Sequence, residues 1–438
     1  MISDQHFIIH GGIGSFAKSF AEMCNRLNWK IDIILDKAPT SALLPIMENL
    51  GANFVYPSQS LKYTDHANIF AFTDSVNFEK IINFRNSLMK AFNSNVYDLI
   101  VCNTQESMSA AHSIEFSRYI PVVFYTHLYS MVFQDDFNKL GSFLPAYHNF
   151  FNKHTEFNDI IVGTQSVYNV NHLHSINITN AKLLPMPITD RELLIKSTTD
   201  KMGVLFIGRW EEGKNPQTFI NVIKQSGLPA KIMTNSNGAK KFEKAFVDAG
   251  ITEYEIKAGI HGNEKADFIK SAKVAFLPSH LESYSFAFVE CVGHMPVLVL
   301  DSQTWSNNFD SNFYHVSSVK DAPDKLKELY IINYGDAALE YVNTLDSNSD
   351  LCWNELVTSF DGKKSKTNSA KINTYETVKY ADYISSLNRI IGREDVESVL
   401  SNRHKFKTVY TDDDTYLSKD DHFIPSGNEV ENSLFDGL

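Results

Sequence analysis

Short apolar runs alternate with segments of helical period along most of this chain. Residues 7–9 read as a strand. After the glycine run Gly11-Gly12-Ile13-Gly14, the apolar residues Phe16, Phe20, Met23, Cys24 and Leu27 recur at helical spacing. Buried-strand runs follow at residues 31–35, 99–102, 122–125 and 160–162. Strands separated by helical patterns need crossover connections, so the expected sheet is parallel and doubly wound. The stretch 184–199 carries Pro185 and Pro187, then turns polar, and reads as a linker. Beyond it the pattern restarts, with strands expected at 204–207, 230–233, 254–257, 274–277 and 297–300. Two successive α/β units joined by a linker predict two Rossmann-like domains facing a cleft, over residues 1–190 and 198–370.

The rest of the chain reads differently. Residues 362–371, "GKKSKTNSAK", form a polar basic loop, and 375–391 have helical period. From about Arg403 the chain becomes polar and acidic, as in "YTDDDTYLSKDDHF". Residues 371–438 are therefore expected to be a C-terminal extension, a helix crossing back and an acidic tail. No repeat of solenoid period is present.

Composition narrows the class. A chain of 438 residues, 43% hydrophobic and 12% aromatic, can build sizeable cores. It has no apolar run of about 18 residues, so no membrane span is expected. The residues after Met1, with Ser3, Asp4 and His6, lack the basic and apolar regions of a secretory signal. Cys24, Cys102, Cys291 and Cys352 are far apart and match no zinc or redox spacing. A cytoplasmic location is the expectation. The formal net charge of −12 opposes binding to a polyanion, although a local basic cleft could still exist.

Three segments could carry chemistry. The Gly11–Gly14 run lies where a strand meets a helix, so backbone amides there could approach a phosphate closely. A tight turn needs the same glycines. The later glycine of a dinucleotide fingerprint is missing, Ala17 standing in its region, and Asp36 is a poor ribose candidate. In "VLFIGRWEEGKNPQTFI" (204–220) a strand ends, Gly208 allows a turn, and Arg209 and Lys214 bracket a short loop. Pro216 suits the first turn of the next helix. Two cations at the carboxyl end of a strand could neutralise a departing diphosphate. The alternative is a pair of solvated side chains beside Glu211 and Glu212. The third segment is "HLESYSFAFVECVGHMPVLVLD" (280–301), in which Glu282 and Glu290 are kept inside an apolar stretch. A helix is expected to begin near residues 283–285, with a serine as its cap. Eight residues at about 3.6 per turn return close to one helical face, so the two carboxylates would project alike. Glutamates are rarely buried without a purpose, which favours binding of hydroxyl groups.

Arg209-x4-Lys214 and Glu282-x7-Glu290, with the Gly12-Ile13-Gly14 run, resemble the retaining glycosyltransferases of GT-B fold, the glycogen-synthase and sucrose-synthase-like group. The resemblance covers roughly residues 5–335. It implies that Arg209 and Lys214 bind the donor diphosphate, that Glu282 meets the sugar hydroxyls and that Glu290 meets the nucleotide ribose. His127, in "VVFYTHLYS", resembles the histidine that reaches the sugar from the N-terminal domain; a core histidine at a strand end has the same sequence signature. Where many members carry Gly-aromatic-Gly after the first glutamate, this chain has Ser283-Tyr284-Ser285, so side chains would enter the donor-sugar pocket. The implied donor is a nucleotide-diphosphate sugar, a UDP-sugar in the first place, with no cofactor or metal required. The "TDDDT" at 411–415 resembles the metal motif of a different glycosyltransferase fold but sits in the tail.

"FIGRWEEGKNPQTF", "YTHLYSMVF" and "YDLIVCNTQES" are also similar to segments of T-even-type phage DNA glycosyltransferases. That likeness implies double-stranded DNA containing 5-hydroxymethylcytosine as acceptor and, for a phage protein, the host cytoplasm as location. Lys240, Lys241, Lys244 and the Lys363, Lys364 and Lys366 loop would then touch the DNA backbone. An envelope or capsule glycosyltransferase, a nucleotide-sugar epimerase of the same fold, and a non-catalytic binding module remain open.

Overall fold

The computed structural model describes residues 1, 11–39, 51–58, 60, 78–113, 121–127, 160–175, 179–188, 190–196, 201–280, 282, 284–332, 334 and 336–359. The expected strand at 7–9, the loop at 362–371 and the extension at 371–438 lie outside these residues.

The first half opens with α1 (Gly11–Arg26), in which Phe16, Phe20, Met23 and Cys24 are all buried as their spacing predicted. The glycine run forms the first turn of this helix, where a loop was expected. Glycine disfavours a helix by about 1 kcal/mol relative to alanine, a cost that the buried face from Phe16 onward offsets. Then come β1 (Asp32–Ile34) and β2 (Asn53–Val55), paired in parallel, and α2 (Phe78–Ser94). A four-stranded parallel sheet follows in the order β3-β4-β5-β6. It is built from β3 (Ile100–Cys102), α3 (Gln105–Ser113), β4 (Val122–Tyr125), β5 (Ile160–Thr164), α4 (Val167–Ser175) and β6 (Ala181–Leu183).

The second half contains β7 (Val204–Ile207), α5 (Pro216–Ser226), β8 (Ala230–Thr234), α6 (Ser236–Ala249), β9 (Tyr254–Ala258) and α7 (Gly262–Lys270). It continues with β10 (Val274–Leu277), α8 (Phe286–Val292), β11 (Val297–Leu300), β12 (His315–Ser317) and α9 (Ala322–Tyr330). The sheet order is β12-β11-β10-β7-β8-β9, parallel throughout. Every residue of β10 and β11 is buried, as befits a parallel strand covered on both faces. The strand order reverses between β7 and β10, which places a crevice at their carboxyl ends. The Arg209–Lys214 loop and the loop into α8 both leave from that crevice.

The long helix α10 (Ala337–Thr358) ties the halves together. Its Trp353 Nε1 and Ser349 Oγ both donate to the carbonyl of Pro185, at 3.1 and 3.0 Å. Phe20 of α1 meets the Trp353 ring edge-on at 4.8 Å. Asp346 accepts from Arg191 at 2.7 Å and from the Ile188 amide at 3.1 Å, and Arg26 pairs with Asp350. One apolar cluster therefore runs from Phe16 and Tyr125 through Leu184 to Leu277, Phe288 and Trp353. Among the described residues no helix is long and apolar enough to cross a membrane, and the four cysteines are unbridged.

Candidate active site

Two loops at the crevice bring the first carboxylate to its cation. Beyond β7, Gly208 is packed against Lys214: a Cβ there would lie 3.3 Å from Lys214 Cγ and 3.4 Å from Phe206. Asn215 adopts the left-handed conformation (φ 52°), which asparagine tolerates better than most residues, and Pro216 then starts α5. Beyond β10, the His280 amide donates to the Gly213 carbonyl at 2.8 Å, which laces the two loops together. Lys214 Nζ is thereby set against Glu282 Oε1 in a salt bridge, the two side chains retaining 24% and 11% exposure. Arg209 stands apart from this pair, with Nη1 3.1 Å from Glu211 Oε1 and both side chains nearly half exposed.

The loop ends at Ser285, whose Oγ accepts from the Phe288 amide at 3.3 Å and caps α8. The helix thus begins just after the expected position. Ser283 lies outside the described residues. Tyr284 is buried, with its ring 5.2 Å from Phe309 and edge-on to Phe286 at 5.8 Å, so the ring is engaged in packing.

Glu290 sits in a different environment. It is 5% exposed and its Oε1 accepts from Lys265 Nζ of α7 at 2.6 Å. The same ammonium donates to Asp190 Oδ2 at 2.8 Å, and Lys18 of α1 donates to Asp190 Oδ1 at 3.3 Å. Burial alone would lower the Lys265 pKa, yet Glu290 and Asp190 together hold it above its ordinary value. Burial would raise Asp190, but Lys265 and Lys18 outweigh it and keep that carboxyl below the usual range. For Glu290 burial prevails over Lys265 and the carboxyl is pushed up. Glu282 and Glu290 therefore lean on separate lysines, although both were expected to project to the same side.

His127 follows β4 and is buried. Its Nε2 meets Asn103 Oδ1 at 3.4 Å; an amide oxygen only accepts, so Nε2 carries the proton. Among the described residues neither His127 Nδ1 nor Asn103 Nδ2 has a hydrogen-bond partner. Burial lowers the imidazole pKa to about 3, so the ring is neutral near pH 7. Phe16 packs against it edge-on at 4.8 Å, which connects it to α1. In that helix Gly12, Ile13 and Gly14 occupy the first turn, whose amide groups have no intrahelical acceptor. Asp36 is fully buried after β1.

The structure also gathers residues the sequence did not single out. Lys265 and Asp190 are the clearest. Lys265 shares a helical face with the buried Phe268 and Ile269, which is the one signal that could have marked it as inward-facing. Asp190 had none, sitting in what read as a polar linker. At the carboxyl ends of β3 to β5, Asn103, Glu106, Thr126, Gln165 and Asn169 are buried polar side chains. Glu106 Oε2 has no hydrogen-bond partner among the described residues. Ser166 beside them donates to Asn308 of the second half at 2.6 Å. Lys240, Lys241 and Lys244 are exposed on α6. Among the described residues, no group of three or more His, Cys, Asp and Glu is placed to hold a metal ion.

No protein-family model matches this chain, and no curated protein matches its sequence. Its fold is nevertheless shared with solved structures. The sucrose-phosphate synthase of Thermosynechococcus elongatus superposes with a TM-score of 0.59 at 14% identity, covering 84% of this chain and 98% of its own. HepE of Anabaena, solved with UDP and glucose, gives 0.55 at 12% identity over 84% of this chain and 98% of that one. The trehalose 6-phosphate synthase of Burkholderia multivorans gives 0.51 at 10% identity over 78% and 99%. The architecture is GT-B: two parallel α/β units facing a cleft, as the strand pattern and the resemblance implied.

Proposed function

We propose that this chain is a retaining glycosyltransferase that moves a sugar from a nucleotide-diphosphate sugar, in the first place a UDP-sugar, to a hydroxyl acceptor. The observation that carries the reading is the Lys214–Glu282 pair, held by two laced loops at the reversal of the second sheet. In that pair the two charges neutralise one another. When a diphosphate arrives, the lysine turns to it and the carboxylate becomes available to accept hydrogen bonds from the sugar. Lys214 then opposes the negative charge that grows on the leaving diphosphate, where a fixed cation acts on the transition state more than on the ground state. Arg209, with an exposed guanidinium in the same loop, is the second cation for that task. His127, kept neutral by burial, suits a hydrogen bond to a sugar hydroxyl and adds no charge. Glu290 takes the ribose. No side-chain base is assigned; the departing phosphate accepts the acceptor's proton on the face it leaves.

Support for a UDP-sugar comes from the Anabaena protein, which was solved with UDP and glucose. The acceptor is proposed as 5-hydroxymethylcytosine in DNA, on the sequence likeness and on the exposed lysines of α6. Incubating hydroxymethylated DNA, or a lipid-linked glycan, with a panel of nucleotide sugars and weighing the product tests donor and acceptor together. Mass added to the DNA supports the reading. Mass added only to the glycan moves the acceptor to the envelope class. A changed donor sugar with no acceptor present makes the chain an epimerase. Tight nucleotide binding without turnover of any donor would leave it a binding module.

A further inference from the structure

Glu290 raises a question that its assigned role does not answer. A carboxylate that must meet a ribose diol has to keep its charge and its orientation while lying 5% exposed beneath α8. The helix carrying it, Phe286–Val292, is short, and the carboxylate's fixed cation comes from another helix, α7. That cation is itself fixed from a third place: Asp190, 4% exposed, lies in the segment leading out of the first sheet and is held in turn by Lys18 of α1. Four charges, two of each sign, alternate along one line from α1 to α8. A buried carboxylate without its cation would neutralise or swing away, because desolvation penalises the charged form. Asp190 lies close enough to Glu290 to add to that penalty, and Lys265 stands between them.

We infer that Lys265 is a positioning residue for the nucleotide: it keeps Glu290 charged and aimed at the ribose, and Asp190 anchors Lys265 for that purpose. The inference rests on the reading of Glu290 as the ribose-binding carboxylate. Lys265 touches no reacting atom. Its effect passes through Glu290 to the two hydroxyls of the ribose, so it bears on nucleotide selection and not on the sugar or the acceptor. Because Lys18 belongs to the helix whose first turn is the Gly12–Gly14 run, the same line also joins the ribose end of the site to the first half of the chain.

The test compares binding of UDP with that of 2′,3′-dideoxy-UDP by calorimetry, in the full chain and in variants. A variant that merely loses folded protein weakens both ligands equally, so the ratio isolates the ribose contact. The wild type is expected to prefer UDP by about ten- to hundredfold, the worth of a hydrogen bond to a charged group. Glu290→Gln should compress that preference severalfold. Lys265→Met should compress it to the same level, Lys265→Arg should restore most of it, and Asp190→Asn should give an intermediate ratio. A wild type indifferent to the ribose hydroxyls would remove the reading of Glu290, and the inference with it. Preference lost in Glu290→Gln but intact in Lys265→Met would overturn the inference alone. So would tighter UDP binding by Lys265→Met, which would make the lysine a competitor of the ribose.

Discussion

Two lysine–carboxylate pairs share one segment of this chain, and their surroundings are opposite. Lys214 and Glu282 meet at the mouth of the crevice, with 24% and 11% of their side chains exposed. Lys265, Glu290 and Asp190 lie beneath α8 and α7 with 13%, 5% and 4% exposed. Solvent can replace either partner of the first pair, so on the proposed reading an incoming diphosphate would exchange one counter-charge for another at little cost. Nothing comparable can enter the second without stranding a buried charge. On the proposed reading the first pair opens during turnover and the second stays closed.

The largest expected effect breaks the closed group. Glu290→Ala or Lys265→Ala leaves buried charge uncompensated and should cost about 3–5 kcal/mol of stability in denaturant unfolding. Lys214→Ala should cost less than about 1 kcal/mol in the same assay, as for partly exposed pairs. Equal losses at both places would erase the distinction. Next in size is activity. Lys214→Ala or Glu282→Ala should lower sugar transfer by about 10²–10³-fold with the fold intact, the range for removing one preorganised transition-state contact. A rate near the wild type's would detach the open pair from catalysis.

Acid sharpens the comparison between open and closed groups from another side. Burial lowers His127 to about 3 and His294 to about 4, His294 Nε2 donating to the Leu193 carbonyl at 2.8 Å. The unfolded chain takes up these protons below pH about 6.5 while the folded chain refuses them. Their contribution to stability is complete above that pH and falls as the pH drops, by up to about 1.4 kcal/mol per unit for each ring. His294→Gln can keep the donor to Leu193 and should flatten the fall between pH 6.5 and 4, roughly the window those two values set. An unchanged slope would show that the ring is protonated in the fold. The smallest effect is at Gly208. Gly208→Ala pushes a methyl group toward Lys214 Cγ, 3.3 Å away, and the flexible side chain can give. The donor KM should rise a few-fold with little change in Tm; a collapse in stability would mean that the open pair is as rigid as the closed one.

The legible parts of the fold follow the same division. β4, β7, β10 and β11 occupy the runs expected of them, because strands covered on both faces must be apolar throughout. β2, β6 and β12 were not read: each has three residues, and "NFV", "AKL" and "HVS" mix polar with apolar side chains. The glycines of α1 looked like a loop, since no propensity marks a helix that starts on them. At the site, the spacing of Glu282 and Glu290 was visible, but their partners were not. Lys214 is 68 residues from Glu282, and Lys265 is 25 from Glu290 and 75 from Asp190. Only the folded topology brings such distances together, and a lysine in an amphipathic helix looks the same in sequence whether its ammonium meets water or a carboxylate.

The helix α10 has a consequence for modularity. By chain order it belongs to the second half, yet Trp353 and Ser349 satisfy a carbonyl of the first, and Trp353 packs on Phe20. Cutting the chain in the segment between β6 and β7 therefore would not yield two autonomous pieces. The front fragment would expose the face of α1 that Trp353 covers, while the rear fragment would strip Trp353 and Ser349, at the far end of α10, of the first-half groups they meet. Mixed together they should reassemble, whereas either alone should aggregate, so this architecture can be split and complemented but not halved.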